Sequence, residues 1–224
     1  MIPYLVKTPK FVQQIFPKRV WSLPHNKNSV FLTFDDGPIT EITSWVLDQL
    51  KKYNAKGTFF CIGNNIQKNP MVFEKIISEG HTVGNHTFNH LNGWKTNTET
   101  YINNCFLFEK VLKQFKYDYS KLTYNNYRDH NSLLFRPPYG KITSKQSKIL
   151  QQKGYKIVMW DILSADFDIQ VSKEKSLQNI LKYIQSGSII LFHDSLKAQK
   201  KLKYLLPKVL DYIKEKGFDC KAID

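Results

Sequence analysis

The chain has 224 residues, of which 42% are apolar and 23% charged, and its formal net charge is +14. This composition is that of one folded globular domain, which excludes an intrinsically disordered chain, and no apolar stretch is long enough to cross a membrane. The positive charge comes almost entirely from lysines scattered along the chain, because only three residues are arginine. We interpret it as a solvated surface and expect no specific nucleic-acid partner.

The three cysteines, Cys61, Cys105 and Cys220, form no Cys-x-x-Cys pair, which predicts free thiols in a reducing compartment. The first residues lack the basic and continuous apolar regions of a signal peptide. We therefore expect a cytoplasmic protein, with an envelope or secreted location as the alternative if a leader is missing from this sequence. We also expect a monomer.

Short apolar runs alternate with segments of helical period. Apolar runs predict strands at Val30–Phe34, Gly57–Gly63, His81–Asn85, Leu133–Arg136, Tyr155–Trp160 and Ser188–His193. Helical periodicity predicts helices at Ile42–Tyr53, Met71–Glu79, Thr98–Gln114, Thr143–Lys153, Lys173–Gln185 and Leu202–Lys216. Repeated strand–helix units with right-handed crossovers imply an α/β fold with a mainly parallel sheet. An incomplete (β/α) barrel fits these units as well as an open doubly wound sheet does.

The predicted elements belong to a single domain, which we place at residues 29–224. Residues 1–28 precede the first predicted strand, and we expect them to form an N-terminal arm packed on this domain.

Polar side chains follow several predicted strands at their carboxyl ends. They are Asp35 and Asp36 after the first strand, His86 and His90 after the third, Arg136 and Asp161 at the next two, and His193 at the last. In both architectures the active site lies at this edge of the sheet, so we expect these side chains to meet there.

The FDDGP segment places two carboxylates where a strand stops at Gly37-Pro38 and the backbone turns. His86 and His90 are four residues apart, so one turn can aim both imidazoles at the same point. Two imidazoles and one aspartate form a three-ligand metal site with a position left open for water. One aspartate then ligates the metal while the other takes a proton from the water, whose pKa the metal lowers to about 7.

Two more residues complete this chemistry. Arg136, in the RPPYG segment, is suited to keep the second carboxylate ionised and oriented. His193, in the LFHDS segment, is a titratable group that can protonate a leaving amine. Metal, base, acid and a turn with free backbone N–H groups together predict the hydrolysis of an acyl bond.

The segments TFDDGP, HTFNH, RPPYG, WDILSADF and LFH occur in the order and approximate spacing of five known motifs. In these motifs the chain, from about Val30 to Gly217, resembles the polysaccharide deacetylases of carbohydrate esterase family 4, relatives of chitooligosaccharide deacetylase. The resemblance implies a distorted (β/α) barrel and a metal-dependent hydrolase. The implied reaction removes an N-acetyl group from an amino sugar of chitin or peptidoglycan, with removal of an O-acetyl group from xylan as the alternative.

The resemblance also implies roles for the matching residues. Asp35 is the base, Arg136 orients it, and His193 is the acid. The Tyr139 backbone N–H helps to bind the oxyanion, and Leu191 lines the pocket for the acetyl methyl group. The residues that hold the divalent metal are Asp36, His86 and His90. Zinc is the expected ion, with cobalt, nickel and manganese as alternatives. Further residues expected to bind the substrate are Pro138, Trp160 and Phe167.

The fourth motif departs from the family pattern Asp-x-x-Asp-Trp, in which the first acid tunes the catalytic histidine. The corresponding stretch here begins with Leu163 and ends with Phe167, so no acid stands at the first position. Asp161 lies two residues earlier and points the same way as Leu163 in a regular strand. We expect Asp161 or Asp166 to support His193.

Two other functions stay open at this point. One is the same chemistry on a small non-glycan amide, and the other is a basic binding protein with a catalytically weak site. The Lys116–Asn131 segment carries four tyrosines. These either stack on sugar rings near the mouth of the site or belong to an insertion in which they are incidental.

Overall fold

The computed structural model describes residues 5–26, 28–115 and 133–223. Its strands are β1 (Arg19–Val20), β2 (Ser29–Asp35), β3 (Gly57–Cys61), β4 (Thr82–Asn85), β5 (Leu133–Phe135), β6 (Tyr155–Val158), β7 (Ile162–Leu163), β8 (Ile189–His193) and β9 (Asp219–Cys220). Its helices are α1 (Lys10–Ile15), α2 (Thr40–Lys52), α3 (Gly63–Lys68), α4 (Pro70–Ser78), α5 (Thr98–Gln114), α6 (Ser144–Gln152), α7 (Lys173–Tyr183) and α8 (Gln199–Glu215), with a 3-10 turn at Pro138–Gly140.

The strands form one parallel sheet, which runs in the order β1-β6-β5-β4-β3-β2-β8-β7, with β9 beside the start of β2. Helices connect most consecutive strands, as right-handed crossovers in a parallel sheet require. The sheet curls into a half-barrel, which confirms the expected single α/β domain with a distorted (β/α) barrel. No helix of the described residues is long and apolar enough to cross a membrane.

All of the predicted strands and helices are present, and α5 has the predicted bounds. Helix α8 begins at Gln199 rather than at Leu202. No pattern in the sequence predicts β1, β7, β9, α1 or α3. The three strands have two residues each, which is too short to show a period, and the two helices have only six residues each.

Strand β2 connects the hydrophobic core to the polar residues at the carboxyl end of the sheet. All seven of its residues are buried. Leu32 and Phe34 pack in the hydrophobic core with residues of α2 and α8. Because side chains alternate along a strand, Thr33 and Asp35 point to the inside of the curled sheet. There the buried Arg136 donates hydrogen bonds to both of them.

Residues 5–26 lie across the gap between the two edges of the sheet. Strand β1 pairs with β6, and the Val20 carbonyl accepts a hydrogen bond from the Met159 N–H over 2.7 Å. The Val6 carbonyl accepts one from the Leu163 N–H of β7 over 2.8 Å. The N-terminal segment therefore contributes a strand to one edge and covers the other.

Candidate active site and metal centre

A cavity of about 520 Å³ opens at the carboxyl ends of the strands. The residues that line it are Asp35, Asp36, His86, His90, Tyr139, Gly140, Trp160, Leu163, Phe167, Leu191, His193, Ser195 and Lys197. Nine of these are residues that the sequence analysis singles out for chemistry or substrate binding. They come from β2 and β8 themselves and from the loops after β2, β4, β5, β6 and β7. The structure thus brings Asp35, Asp36, His86, His90 and His193 together at this edge of the sheet, as predicted, whereas Asp161 does not line the cavity.

Asp36, His86 and His90 converge on one point, as the predicted metal site requires. The Asp36 Oδ1 atom lies 3.2 Å from His90 Nε2 and 3.7 Å from His86 Nε2. One ligand atom from each residue lies within 4.8 Å of the others. One carboxylate oxygen and two imidazole nitrogens form a donor set that suits a divalent cation with a further position free.

The hydrogen bonding of Asp36 and the protonation state of His86 suit the binding of a cation. The buried Asp36 Oδ1 atom has no hydrogen-bond partner among the described residues, which is costly unless a positive group binds it. His86 Nδ1 lies 2.7 Å from the Arg136 carbonyl oxygen. A carbonyl only accepts, so Nδ1 carries the proton and Nε2 is left with a free electron pair. Burial lowers the pKa of His86 to about 4, which keeps this imidazole neutral and able to ligate.

Unusual backbone conformations occur at the ends of these strands. Asp36, Thr87, His90, Tyr139 and Ala165 have positive φ angles of 82°, 63°, 56°, 60° and 57°. Residues other than glycine adopt this region at a cost in energy, and such residues cluster at functional sites. Each one lies in a loop of the cavity, where the chain must bend sharply to turn a side chain or an N–H group inward.

Asp35 is held by a fully buried arginine. Arg136 Nη1 donates to Asp35 Oδ1 over 2.7 Å and to Thr33 Oγ1 over 2.8 Å. The rest of its guanidinium donates to two backbone carbonyls and lies 4.0 Å from the centroid of the Phe60 ring. This places a fixed positive charge beside Asp35, whose other oxygen, Oδ2, lies 3.8 Å from His86 Nε2. Asp35 is thus held next to the metal ligands. Asp36 is better placed than Asp35 to bind the metal, because its Oδ1 atom lies near both His86 and His90.

His193 is paired with Asp166. The Nδ1 atom of His193 lies 2.8 Å from Asp166 Oδ1, and its backbone N–H donates to Asp166 Oδ2 over 2.7 Å. Burial opposes protonation, but the charge and hydrogen bond of Asp166 raise the pKa of His193 to about 9. His193 is therefore an imidazolium at neutral pH. The Phe167 ring packs edge-on against it with centroids 5.0 Å apart.

Of the two candidates for this support, Asp161 is the wrong one. Its carboxylate is buried away from the cavity, where Oδ2 accepts from Lys7 Nζ over 2.5 Å and from Ser188 Oγ over 3.0 Å. The expectation fails because β6 ends at Val158 and the chain bends before β7 begins at Ile162. The alternation of a regular strand does not extend through this bend, so Asp161 does not share a face with the cavity residue Leu163.

The RPPYG segment forms the 3-10 turn beside the metal ligands. The Tyr139 ring lies 4.6 Å from the His90 ring, and Tyr139 and Gly140 line the cavity. A Cβ atom on Gly140, whose φ is +67°, would come 2.7 Å from Cη2 of Trp160, so the turn needs glycine there. Pro138 is buried and does not line the cavity, in contrast to its expected role in substrate binding.

Asp194 is a functional residue that the sequence analysis misses. This fully buried carboxyl group accepts from the Gly37 N–H over 3.0 Å and from Thr43 Oγ1 over 2.5 Å. Its own N–H donates to the Asp35 carbonyl over 3.0 Å, and burial raises its pKa to about 8. Asp194 therefore stabilises the turn that contains Asp35, Asp36 and Gly37. An acid directly after an unbroken apolar strand is the signal that could have indicated it.

Leu163, Ser195 and Lys197 also line the cavity without having been expected there. Leu163 adds to the apolar wall formed by Trp160, Phe167 and Leu191. The Lys116–Asn131 segment, with its four tyrosines, lies outside the described residues.

The fold and the site together define a class of protein. A (β/α) barrel with a three-ligand metal centre, a separate carboxylate held by arginine and an imidazolium held by aspartate is equipped as a metal-dependent hydrolase.

Comparison with known proteins gives the family. The polysaccharide deacetylase pattern matches residues 22–158. The chain is 35% identical to a peptidoglycan-N-acetylglucosamine deacetylase of Bacillus cereus over 88% of this chain and 67% of that protein. It is 32% identical to chitin deacetylase 2 of Saccharomyces cerevisiae over 82% of this chain and 60% of that protein. A crystal structure of the Bc1960 peptidoglycan N-acetylglucosamine deacetylase, in complex with 4-naphthalen-1-yl-N-oxidanyl-benzamide, superposes with a TM-score of 0.81 at 33% identity, covering 96% of this chain and 94% of that one. The chain belongs to the polysaccharide deacetylase family.

Proposed function

We propose that this protein removes the acetyl group from N-acetylglucosamine residues of a peptidoglycan- or chitin-type glycan. The observation that carries the proposal is that base, metal ligands and acid open into one cavity with an apolar wall. The similar proteins from Bacillus cereus and Saccharomyces cerevisiae support the substrate class, because their names state peptidoglycan-N-acetylglucosamine and chitin deacetylase activity.

Asp36, His86 and His90 would hold the divalent metal. A metal bound there would supply positive charge that acidifies water and polarises the acetyl carbonyl. Two imidazoles and one carboxylate favour zinc, while cobalt, nickel and manganese accept the same ligand types.

Asp35 is the general base in this proposal. It takes a proton from the water that attacks the acetyl carbonyl carbon, and Arg136 keeps its carboxylate oriented through the 2.7 Å hydrogen bond. Arg136 also donates to Thr33 and to two backbone carbonyls, so its guanidinium is fixed in position and holds the Asp35 carboxylate in one orientation. The carboxylate is therefore preorganised for proton transfer.

His193 is the general acid. When the C–N bond breaks, the sugar nitrogen leaves as an amine only if it receives a proton, and the protonated His193 is placed to give it. Acetate and the free amine of the sugar are the products. The contact between Asp166 and His193 favours an amide over an acetyl ester as the substrate, since an ester has a better leaving group and needs less help from an acid.

The apolar side chains opposite the polar groups provide the place for the acetyl methyl group. Leu163 and Leu191 lie next to each other in the sheet, where β7 pairs with β8. Trp160 and Phe167 extend this wall. The complete set of base, acid and ligands favours an enzyme over a binding protein with a weak site.

The experiment that tests the proposal is acetate release by the zinc-loaded protein. The substrates are an N-acetylglucosamine pentamer, purified peptidoglycan, acetylated xylan and a small amide such as acetamide. Acetate from the first two, stopped by a chelator and restored by Zn²⁺, is the expected result. Release from xylan alone, or turnover of the small amide alone, would replace the proposed substrate. A comparison of Zn²⁺, Co²⁺, Ni²⁺ and Mn²⁺ under the same conditions tests the choice of metal.

A further inference from the structure

Trp94 is an exposed tryptophan close to the metal site. It lies in the loop that directly follows the metal ligand His90, and 66% of it is exposed to solvent. A large aromatic side chain in solvent beside a catalytic cavity is a feature that often marks a binding surface. None of the chemistry described above uses it.

This indole is held in place. Its Nε1–H donates to the Ile142 carbonyl over 3.2 Å, and its backbone N–H donates to Asn92 Oδ1 over 3.0 Å. The fully buried Gln146 side chain donates to the Gly93 and Thr96 carbonyls over 2.9 Å and 3.1 Å. A ring that is ordered before a ligand arrives binds it at a smaller entropic cost.

The Trp94 loop is joined to the cavity by the segment that follows the 3-10 turn. The Gly93 N–H donates to the Lys141 carbonyl over 3.2 Å. Lys141 is two residues after Tyr139, whose ring is 61% exposed and contacts the His90 ring. A chain of neighbours thus starts at the metal ligand His90 and runs through Tyr139 and Lys141 to Trp94. We call Tyr139, Lys141 and Trp94 the aromatic rim.

The rim combines two kinds of chemistry. The Lys141 ammonium lies 5.3 Å from the centroid of the Trp94 ring. An exposed aromatic ring suits the apolar C–H face of a pyranose, and an ammonium suits a carboxylate. The formal net charge of +14 for the whole chain also favours an anionic over a neutral ligand.

We propose that the aromatic rim is a subsite for a second sugar ring of the glycan strand, adjacent to the sugar that loses its acetyl group. Trp94 stacks on this ring, and Lys141 pairs with a carboxylate that the ring carries. The proposal rests on the proposed function, because it deals with the same glycan. It makes Trp94 and Lys141 specificity-determining residues for an acidic glycan.

The test compares two probes on the zinc-loaded protein. One is the neutral N-acetylglucosamine pentamer, and the other is a peptide-free tetrasaccharide of alternating N-acetylglucosamine and N-acetylmuramic acid, which carries carboxylates. Trp94→Ala should raise KM for both probes by about tenfold with little change in kcat, as loss of an aromatic anchor does. Trp94→Phe should restore most of the affinity. Phe11→Ala is the matched control, because Phe11 is a 60% exposed aromatic residue on α1.

Lys141→Met should raise KM for the tetrasaccharide by about threefold and leave the pentamer unchanged. The difference between Lys141→Met and the wild type should shrink as the salt concentration rises. An equal effect of Lys141→Met on both probes would overturn the carboxylate pairing. A Trp94→Ala variant that has the wild-type KM, or that loses kcat alone, would overturn the subsite.

Calorimetric titration with the same two probes separates this proposal from the proposed function. If the wild type releases no acetate from either glycan, the proposed deacetylation fails. Binding of the probes to the wild type that weakens in Trp94→Ala would still support the rim, and binding that is the same in both, or absent in both, would overturn it.

Discussion

Arg136 holds both Asp35 and His86, the first through its side chain and the second through its backbone. Its Nη1 atom donates to Asp35 Oδ1 over 2.7 Å, and its carbonyl oxygen accepts from His86 Nδ1 over 2.7 Å. A single buried residue therefore orients the proposed base and sets the tautomer of His86, one of the three residues that could hold a metal. A substitution at this position separates the two functions, because it removes the guanidinium and keeps the carbonyl.

We expect Arg136→Met to destabilise the protein and abolish activity while it retains metal binding. The variant leaves the buried Asp35 carboxylate without its partner, which typically costs about 3–5 kcal/mol of unfolding free energy. Urea unfolding measures this loss, and metal analysis measures the zinc content of the folded protein. Arg19→Met is the control, since Arg19 lies on the Phe16 ring at the surface. An Arg136→Met protein as stable as the Arg19→Met protein would show that the buried pair contributes no net stability.

The roles of the two neighbouring aspartates can be separated. Asp35→Asn should keep the zinc content and lower kcat by at least about 100-fold, because a general base contributes that much and the ligands are untouched. Asp36→Asn should lose zinc. Both are measured by metal analysis and acetate release from the N-acetylglucosamine pentamer. Loss of zinc from Asp35→Asn together with its retention in Asp36→Asn would reverse the assignment.

The contact between Asp166 and His193 predicts a pH profile. Since Asp166 raises the pKa of His193 to about 9, the acid is protonated up to that pH and kcat should fall on the alkaline side near it. Asp166→Asn should move this limb to lower pH by about one unit or more and reduce kcat with little change in zinc content. Asp161→Asn is the control and should leave the limb in place. A limb that moves in Asp161→Asn instead would contradict the structure.

The same pair links stability to pH. A histidine whose pKa is raised on folding from 6.5 to about 9 stabilises the fold fully below about pH 6.5. This contribution is lost as the pH rises through about 9. The Asp166→Asn variant should lose this dependence, which urea unfolding at several pH values would measure in the wild type and the variant. An unfolding free energy with the same pH dependence in both proteins would contradict the linkage.

Lys7 and Asp161 tie the N-terminal segment to the sheet. Lys7→Met leaves the buried Asp161 carboxylate with Ser188 Oγ but without its ammonium partner, which should cost about 1–3 kcal/mol of unfolding free energy. The pH at which kcat falls on the alkaline side should not change, since Asp161 does not contact His193. Lys10→Met, at the start of α1, removes a lysine from the same segment and serves as the control. Equal stability of the two variants would show that the ion pair does not hold the segment.

The fold and most of the site could be predicted because their signals are local. Apolar runs such as Val30–Phe34 and Ser188–His193 are long enough to identify strands, and a polar residue at the end of a parallel strand must lie at one edge of the sheet. Asp36, His86 and His90 are therefore brought together by topology that the chain order already implies. The ligand set in the structure is the one that the motifs indicate.

Short elements and contacts between distant segments could not be predicted in the same way. Strands β1 and β7 have two residues each and exist because neighbouring strands offer free N–H and carbonyl groups, not because their own sequences favour them. The hydrogen bond between Asp194 and the Gly37 N–H likewise depends on the close approach of the loops after β8 and β2. A Cβ atom on Gly37 would lie only 2.0 Å from Asp194 Oδ2.

The sequence alone determined which polar residue types stand at the strand ends, because these positions follow from local patterns, and they are the residues of the proposed metal site, base and acid. Only the tertiary structure decided between Asp161 and Asp166 as the partner of His193. The two aspartates are near neighbours in the chain, but a bend between β6 and β7 turns one towards Lys7 and the other towards the cavity. The direction of a side chain after such a bend depends on packing against distant segments, which no local pattern records.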